Sequence, residues 1–434
     1  MESPPHSGRG GYMNVGVYGS GYLGTVVSAC LADLGMPVTC YDADTTLVMD
    51  SAQGTLRFHE KNLKEIVRRN VRADRLMYTT ELESVARRAG AIFIAEDTPD
   101  EIEHIVPELA AVAQPHAVFV IVTPTPVGTT RRIETELRMR SYKQHVVVQP
   151  MFLTDGCAVE DFNWPDRLVL GTTSHDAVDV MKQIYRPIVM RGVPLIVTSY
   201  ETAELVREAS TAFVATKLSF INELASLCDH VKADATDLAL AMGLDKKIGP
   251  RCLQPGARIG GAFVENEMNA LASLAEEFGV SLKVLTAARE VNHDFSDQVM
   301  EKLTSLMPSV VGREVGILGL AFKPNTNCVA GSVSLSLARG LISRGARVRA
   351  YDPVAIPEAQ RELNDVVHFC QTAYEAAEGS DALVVGTGWP EFRALDWQRV
   401  KKLLKTPVVF DTKNMLDAGR LRNMGFRYLG IGRS

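Results

Sequence analysis

The sequence predicts an α/β protein: two doubly wound domains joined by a helical central segment that holds a long helix. Three observations carry this. Val15-Gly-Val-Tyr18 is a short apolar strand ending in a Gly-rich turn, followed by a helix pattern over residues 25–34, a stop at Gly35 and a second strand over 38–41. The same grammar returns downstream, with a strand over 315–320, a helix over 335–343, Gly345 and a strand over 348–352. Between the two, residues 201–242 hold no proline and no strand-like run.

Each repeated segment reads as a βαβ unit whose second strand ends in an acid, Asp42 and Asp352. Further strands are expected over 91–95, 117–122 and 146–149, then over 382–385 and 408–411. Strands that alternate with helices in this way give doubly wound parallel sheets. In the middle, Leu205, Ala209, Phe213, Leu218, Ile221, Leu224 and Leu227 recur at helical spacing. They predict a long helix with one apolar face, buried either within the chain or against a second copy. A second helix is expected near 268–278. The domain plan is a disordered tail over 1–12, a first domain over 13–200, a helical domain over 201–298 and a second α/β domain over 299–434.

Composition narrows the function. At 434 residues the chain exceeds a single core. Its 46% apolar and 23% charged content is that of an ordinary globular protein. A net charge of −6 with no Lys/Arg block argues against nucleic acid and anionic membranes. No apolar run approaches the ~20 residues of a membrane span, and residues 1–12 lack the apolar core of a signal peptide. The seven cysteines are scattered, odd in number and never paired as Cys-x-x-Cys, so no disulfide or zinc framework is expected. The cytosol is the expected compartment. His104, His116, His145 and His230 share no ligand-like spacing, so no metal site is expected.

Gly19-Ser-Gly21-Tyr-Leu-Gly24 follows a strand and opens a helix, as a dinucleotide fingerprint does. Gly19 allows the tight turn, Gly21 lets backbone approach a pyrophosphate, and Gly24 permits close helix–strand packing. The helix N-terminus then faces the phosphates. Asp42, 18 residues after Gly24, is placed to accept from ribose hydroxyls and to repel a 2′-phosphate. NAD is therefore expected over NADP, and the domains are Rossmann-like. Tyr22, Leu23, Thr98 and Thr125 complete the cofactor candidates. Glu96 and Asp97 also fall near the cofactor's path, where two acids cost affinity unless they point away.

The whole chain from Met13 to Arg433 resembles the UDP-glucose/GDP-mannose dehydrogenase family. Gly19–Gly24 matches its opening fingerprint. Thr123-Pro-Thr-Pro-Val-Gly-Thr129 is similar to its Ser-Thr-Val-Pro-Val-Gly-Thr, and Gln149-Pro-Met-Phe-Leu-Thr-Asp-Gly156 to its Asn-Pro-Glu-Phe-Leu-Arg-Glu-Gly. Pro165-Asp-Arg-Leu-Val-Leu-Gly171, the helix segment from Ala203 to Glu223, Leu318-Gly-Leu-Ala-Phe-Lys-Pro-Asn-Thr326, Tyr351-Asp-Pro353 and Trp389-Pro-Glu-Phe392 continue the likeness. The resemblance implies an N-terminal NAD domain, a helical domain that forms a homodimer, and a C-terminal nucleotide-sugar domain. It also implies oxidation of a nucleotide sugar's primary alcohol to the acid with two NAD. That reaction uses a base, a thiolate that captures the aldehyde, and a final hydrolysis.

The chemical positions of the resemblance are replaced here. The family's loop Gly-Gly-Ser-Cys-Phe-Pro-Lys-Asp aligns with Gly260-Gly261-Ala-Phe-Val-Glu-Asn-Glu267. Phe263 stands at the cysteine and has no nucleophilic atom. Asn266 and Glu267 stand at the Lys-Asp pair. Arg207 stands at a helix lysine and cannot serve as a base. Thr211 replaces an asparagine, Pro124 a threonine, Met151 and Asp155 two glutamates, and Ala330 an arginine. Arg258 replaces a glycine at the lip of the loop.

Binding positions persist better. Phe152, Leu153, Lys247, Arg258, Gly260, Gly261, Phe322 and Lys323 stand at or beside nucleotide-sugar positions. Plainer readings stand beside these: Phe152 and Phe322 as core aromatics, Lys247 and Lys323 as solvated charge, Glu267 as an acid stabilised at a helix N-terminus. Three functions stay open. One is an NAD-linked two-electron oxidoreductase on a nucleotide sugar or nucleoside, with Arg207 orienting and Glu267 or Asp155 as acid/base. A second is a non-catalytic relative that binds NAD or a nucleotide sugar. The third is the ordinary family reaction using Cys157 or Cys252, the latter otherwise a small buried filler.

Overall fold

The computed structural model describes residues 13–96, 99–256, 260, 264–307 and 309–433. The expected tail, 1–12, lies outside them. The chain divides into two compact units, Met1–Glu208 and Ala209–Ser434.

The first unit is built on an eight-stranded sheet. Its strands are β1 (Val15–Tyr18), β2 (Val38–Tyr41), β3 (Leu76–Thr79), β4 (Ala91–Ile94), β5 (Val118–Ile121), β6 (His145–Val148), β7 (Leu168–Gly171) and β8 (Leu195–Thr198). The spatial order is β3-β2-β1-β4-β5-β6-β7-β8, with only β6 and β7 antiparallel among the described pairs. β4 and β5 are buried on both faces, which explains their unbroken apolar sequences. One core cluster joins β1, β2 and the helix Tyr22–Asp33; another joins β4, β5 and the helix Ile102–Val112. Strand order reverses at β1, between β2 and β4. In an open α/β sheet the ligand crevice lies at the C-terminal ends of the strands at such a point.

The helix Tyr200–Val231 contains the boundary between the units. The sequence pattern ran on to residue 242, but the helix stops at Val231. Lys232 takes φ 59°, and Asp234 caps a new helix, Ala235–Gly243, by accepting from the N–H groups of Thr236 and Asp237. No glycine or proline marks this break. The apolar stripe is also not one buried face. Ile221 is fully buried, whereas Leu205, Phe213 and Leu227 are 39%, 67% and 55% exposed.

The second unit adds the helices Val264–Glu277 and Lys283–Leu306. Its sheet comprises β9 (Glu314–Leu318), β10 (Arg347–Tyr351), β11 (His368–Phe369), β12 (Ala382–Val385), β13 (Val408–Asp411) and β14 (Arg427–Gly430). The order β11-β10-β9-β12-β13-β14 is parallel in every described pair and again reverses at its first strand. Both domains are thus doubly wound and Rossmann-like, as the sequence predicts.

Candidate active site

The Gly-rich turn sits at the end of β1, where the strand order reverses. Gly19 has φ +93°, and a Cβ there would meet Ala95 O at 2.7 Å. A Cβ on Gly24 would lie 1.9 Å from Gly19 O, so this helix approaches the turn only because Gly24 has no side chain. Asp42 Oδ2 accepts 2.8 Å hydrogen bonds from both Ser20 N and Ser20 Oγ, and Oδ1 accepts from Asp44 N at 2.9 Å. A carboxylate has about four lone-pair sites, so Asp42 keeps capacity for a ribose hydroxyl. The turn and its acid fit a dinucleotide. Tyr22 and Leu23 turn away from it. Tyr22 stacks edge-on with Phe58 at 4.9 Å and donates to Glu60 at 2.7 Å, and Leu23 packs into the core.

Glu60 is a residue the sequence did not signal. It is 5% exposed and accepts from Tyr22 Oη and, at 2.6 Å, from Gly156 N. It thus ties the fingerprint to the segment 149–156. Burial and then the Glu60 charge push the Tyr22 hydroxyl far above its usual range, with Asp155 adding to the effect. Asp155 is therefore close to the fingerprint. Arg207 donates to Met151 O in the same segment, so its guanidinium holds backbone. Phe152 is half-buried in the second core cluster, with the Arg167 guanidinium 3.7 Å from its ring centroid. Glu204 takes Gly128 N at 2.6 Å, Thr130 N at 2.8 Å and Thr130 Oγ1 at 2.6 Å, fixing the helix Thr129–Met139. Burial raises its carboxyl in spite of these bonds. Thr125 Oγ1 is buried and has no hydrogen-bond partner among the described residues.

In the second unit, Thr211 Oγ1 donates to Glu267 Oε2 at 2.7 Å, and Glu267 is 8% exposed. Asn266, beside it, is exposed. Gly256 N donates to Asn222 Oδ1 at 3.0 Å, while Lys413 Nζ donates to Gly256 O at 3.2 Å. Asn222 and Lys413 thus anchor the start of the loop. A Cβ on Gly260 would come within 3.3 Å of Phe322 Cδ2, so these two candidates touch. Lys323 Nζ lies 5.5 Å from the Phe322 ring centroid. Lys247 is exposed, and its main-chain N–H is bonded to Asp245.

The second fingerprint-like turn is closed by its own acid. Asp352 is 2% exposed and accepts from Leu320 N, Ala321 N, Val354 N, Ala355 N and Trp389 Nε1. Those N–H groups have nothing left for a pyrophosphate. Cys252 is half-buried, not the buried filler expected, and its backbone is left-handed at φ 62°. Cys157 is exposed. Phe263, Arg258, Gly261, Thr98 and Asp97 lie outside the described residues. No group of three or more His, Cys, Asp and Glu among the described residues forms a metal site, and no described helix is long and apolar enough to cross a membrane.

A doubly wound unit with a dinucleotide turn, followed by helices and a second doubly wound unit, defines a class of NAD-linked dehydrogenases. The chain matches the UDP-glucose/GDP-mannose dehydrogenase family in three successive parts. These are its NAD binding domain over residues 13–189, its central domain over 201–294 and its UDP binding domain over 316–418. The chain belongs to that family. It is 35% identical over 431 residues to the UDP-glucose 6-dehydrogenase TuaD of Bacillus subtilis (strain 168), covering 96% of this chain and 93% of that one. It is also 35% identical over 436 residues to a UDP-glucose 6-dehydrogenase of Rhizobium meliloti (strain 1021), covering 97% and 100%. A solved UDP-glucose dehydrogenase from the hyperthermophilic archaeon Pyrobaculum islandicum superposes with a TM-score of 0.87 at 28% identity, covering 99% of this chain and 100% of that one.

Proposed function

We propose that the protein is an NAD-dependent dehydrogenase that carries out a single two-electron step at a CH–OH carbon of a nucleotide sugar or related nucleoside. One observation carries the reading. Glu267, buried in the first turn of the helix Val264–Glu277 and hydrogen-bonded to Thr211, is a positioned carboxylate four residues beyond Phe263, which we read at the position of the family's thiol. NAD, when bound, supplies the hydride acceptor. Glu267 would receive the O–H proton on the carboxylate that Thr211 Oγ1 orients, as the CH–OH carbon goes to the carbonyl level. Without a thiol the carbonyl product is released, since no thiohemiacetal can form on Phe263. Arg207 stays charged and serves to orient, through the backbone it holds at Met151.

We assign cofactor contacts to Gly19, Gly21, Gly24, Asp42 and Thr125, and nucleotide-sugar contacts to Phe152, Leu153, Gly260, Phe322 and Lys323. The three domains 13–200, 201–298 and 299–434 take the NAD, dimerisation and nucleotide-sugar roles. The homodimer forms through the central helix, where Phe213, Phe220 and Leu227 recur every seven residues and are 67%, 48% and 55% exposed. Seven free cysteines suit the reducing cytoplasm. Full-length protein and E267Q are compared for NADH formation over UDP-, GDP- and TDP-sugars. E267Q is expected to lose about a hundredfold or more in rate while keeping its NAD affinity. An unchanged rate removes Glu267 as the acid/base.

A second reading is a non-catalytic relative that binds NAD or a nucleotide sugar as scaffold or regulator. It is favoured by joint replacement at Phe263, Arg207, Thr211, Asn266, Pro124 and Met151. Absence of turnover together with retained binding would establish it. The reaction named for the relatives, carried by Cys252 or Cys157, is the third; an unchanged rate in C252S and C157S disposes of it.

A further inference from the structure

One buried carboxylate oxygen ties together two segments of the first unit that the dehydrogenase reading gives to different ligands. Tyr22 opens the helix Tyr22–Asp33 directly after Gly21, at the end that faces a pyrophosphate. The segment 149–156, between β6 and the helix Ala158–Asn163, carries Phe152 and Leu153. Glu60 Oε2 accepts from Tyr22 Oη at 2.7 Å and from Gly156 N at 2.6 Å. These donors stand 38 and 96 residues away from it along the chain.

Each end of this bridge is itself fixed. The Tyr22 ring lies edge-on to Phe58, 4.9 Å between centroids, so residues 58–60 hold that side chain by its ring and by its hydroxyl. Burial first, and then the Glu60 charge, hold that hydroxyl far above its usual range, so it stays a donor. Gly156 sits at φ 76°, in a turn where Cys157 N donates to Thr154 O at 2.8 Å. Thr154 N donates in turn to Asp161 Oδ2 at 2.8 Å. Leu63 N donates to Glu60 O at 3.2 Å, which anchors the acid at the start of the helix Leu63–Arg72. Short bonds from two donors to a carboxylate oxygen are the strong, charge-assisted kind.

We propose that Glu60 is a positioning residue: by holding Tyr22 and Gly156 on one oxygen it sets the spacing between the dinucleotide turn and the segment 149–156, and so aligns the hydride acceptor with the reacting carbon. The proposal rests on the reading of the first unit as the NAD domain of a dehydrogenase, with Phe152 and Leu153 beside the sugar. Hydride transfer is sensitive to such spacing, because reacting atoms must come to about 3–3.5 Å and a misplacement of about 1 Å costs ~100-fold.

Three variants of the full-length protein test it. E60Q keeps an oxygen that accepts two bonds, E60A removes that oxygen, and Y22F removes one donor and leaves Glu60 in place. In the free protein, amide exchange is read on short peptides spanning Gly156. It is expected to be about tenfold faster in E60A and unchanged in Y22F and E60Q. With NAD and the UDP-, GDP- and TDP-sugars, kcat is expected to fall about a hundredfold in E60A and about tenfold in Y22F, with both KM values and the kcat of E60Q within about threefold of wild type. Melting curves identify a variant that fails to fold; Y22F and E60Q decide the matter if E60A does. Wild-type kcat in folded Y22F or E60A overturns the proposal. So do a loss that lies in KM, unchanged exchange at Gly156 in folded E60A, or an E60Q as slow as E60A. If wild type binds NAD in calorimetry but turns over none of the sugars, the dehydrogenase reading itself falls, and this inference with it.

Discussion

The proposed function turns on reading Phe263 at the position of the family's cysteine, because a phenyl ring cannot form or break a bond to a carbonyl carbon. Glu267 and Thr211, the acid/base of that proposal and its partner, meet at 2.7 Å in the second unit. Asp234 caps a helix and accepts from Arg433 Nε at 2.8 Å. Burial works to raise its carboxyl, but Arg433 and the N–H groups of Thr236 and Asp237 win, and it is lowered. The stabilisation it gives is full above the unfolded value near pH ~3.9 and is lost as pH falls through the lower folded value. D234N is therefore expected to cost about 1 kcal/mol at neutral pH. In melting curves the gap to wild type should close in acid; a gap that persists at pH ~2 contradicts this assignment.

At the scale of elements, the strongest sequence signals were chemical punctuation. The Gly-rich turn is legible because Gly19 and Gly24 have no room for a Cβ. The strands β1, β2, β12 and β13 fall on their expected residues because turn signals bound short apolar runs. Other elements carry no such mark. β3 alternates weakly, β8 is an edge strand with Ile196 and Val197 exposed, and the break at Lys232 has neither glycine nor proline. Glu60 was unreadable for another reason. Tyr22 and Gly156, which bond to it, are far from it in sequence and meet it only in the fold. The central helix shows how periodicity can find an element and misjudge its face. Helical spacing locates it, but only some of the stripe is buried in the chain. Exposed Phe213 and Leu227 argue for a second copy as their cover. F213E and L227E are each expected to shift the protein from dimer to monomer in sedimentation. A wild-type monomer, or dimers in both variants, rejects this interface.

Across the molecule, the same βαβ grammar is used twice with opposite results. In the first unit the acid at the end of β2 keeps capacity beside an open turn. In the second, Asp352 spends its carboxylate on the turn's own N–H groups. One unit is thus fit for a dinucleotide, while the other's turn has no N–H groups left for a pyrophosphate, and the proposed nucleotide-sugar contacts there fall to Phe322, Lys323 and Gly260. The central claim is that the scaffold and its NAD site persist while four-electron, acid-forming chemistry is replaced by a single hydride transfer. The most direct measurement is the stoichiometry of NADH formed per sugar consumed, read by absorbance alongside identification of the product. One NADH with an aldehyde or ketone product is the expected result. Two NADH per sugar with a carboxylic acid product would contradict it.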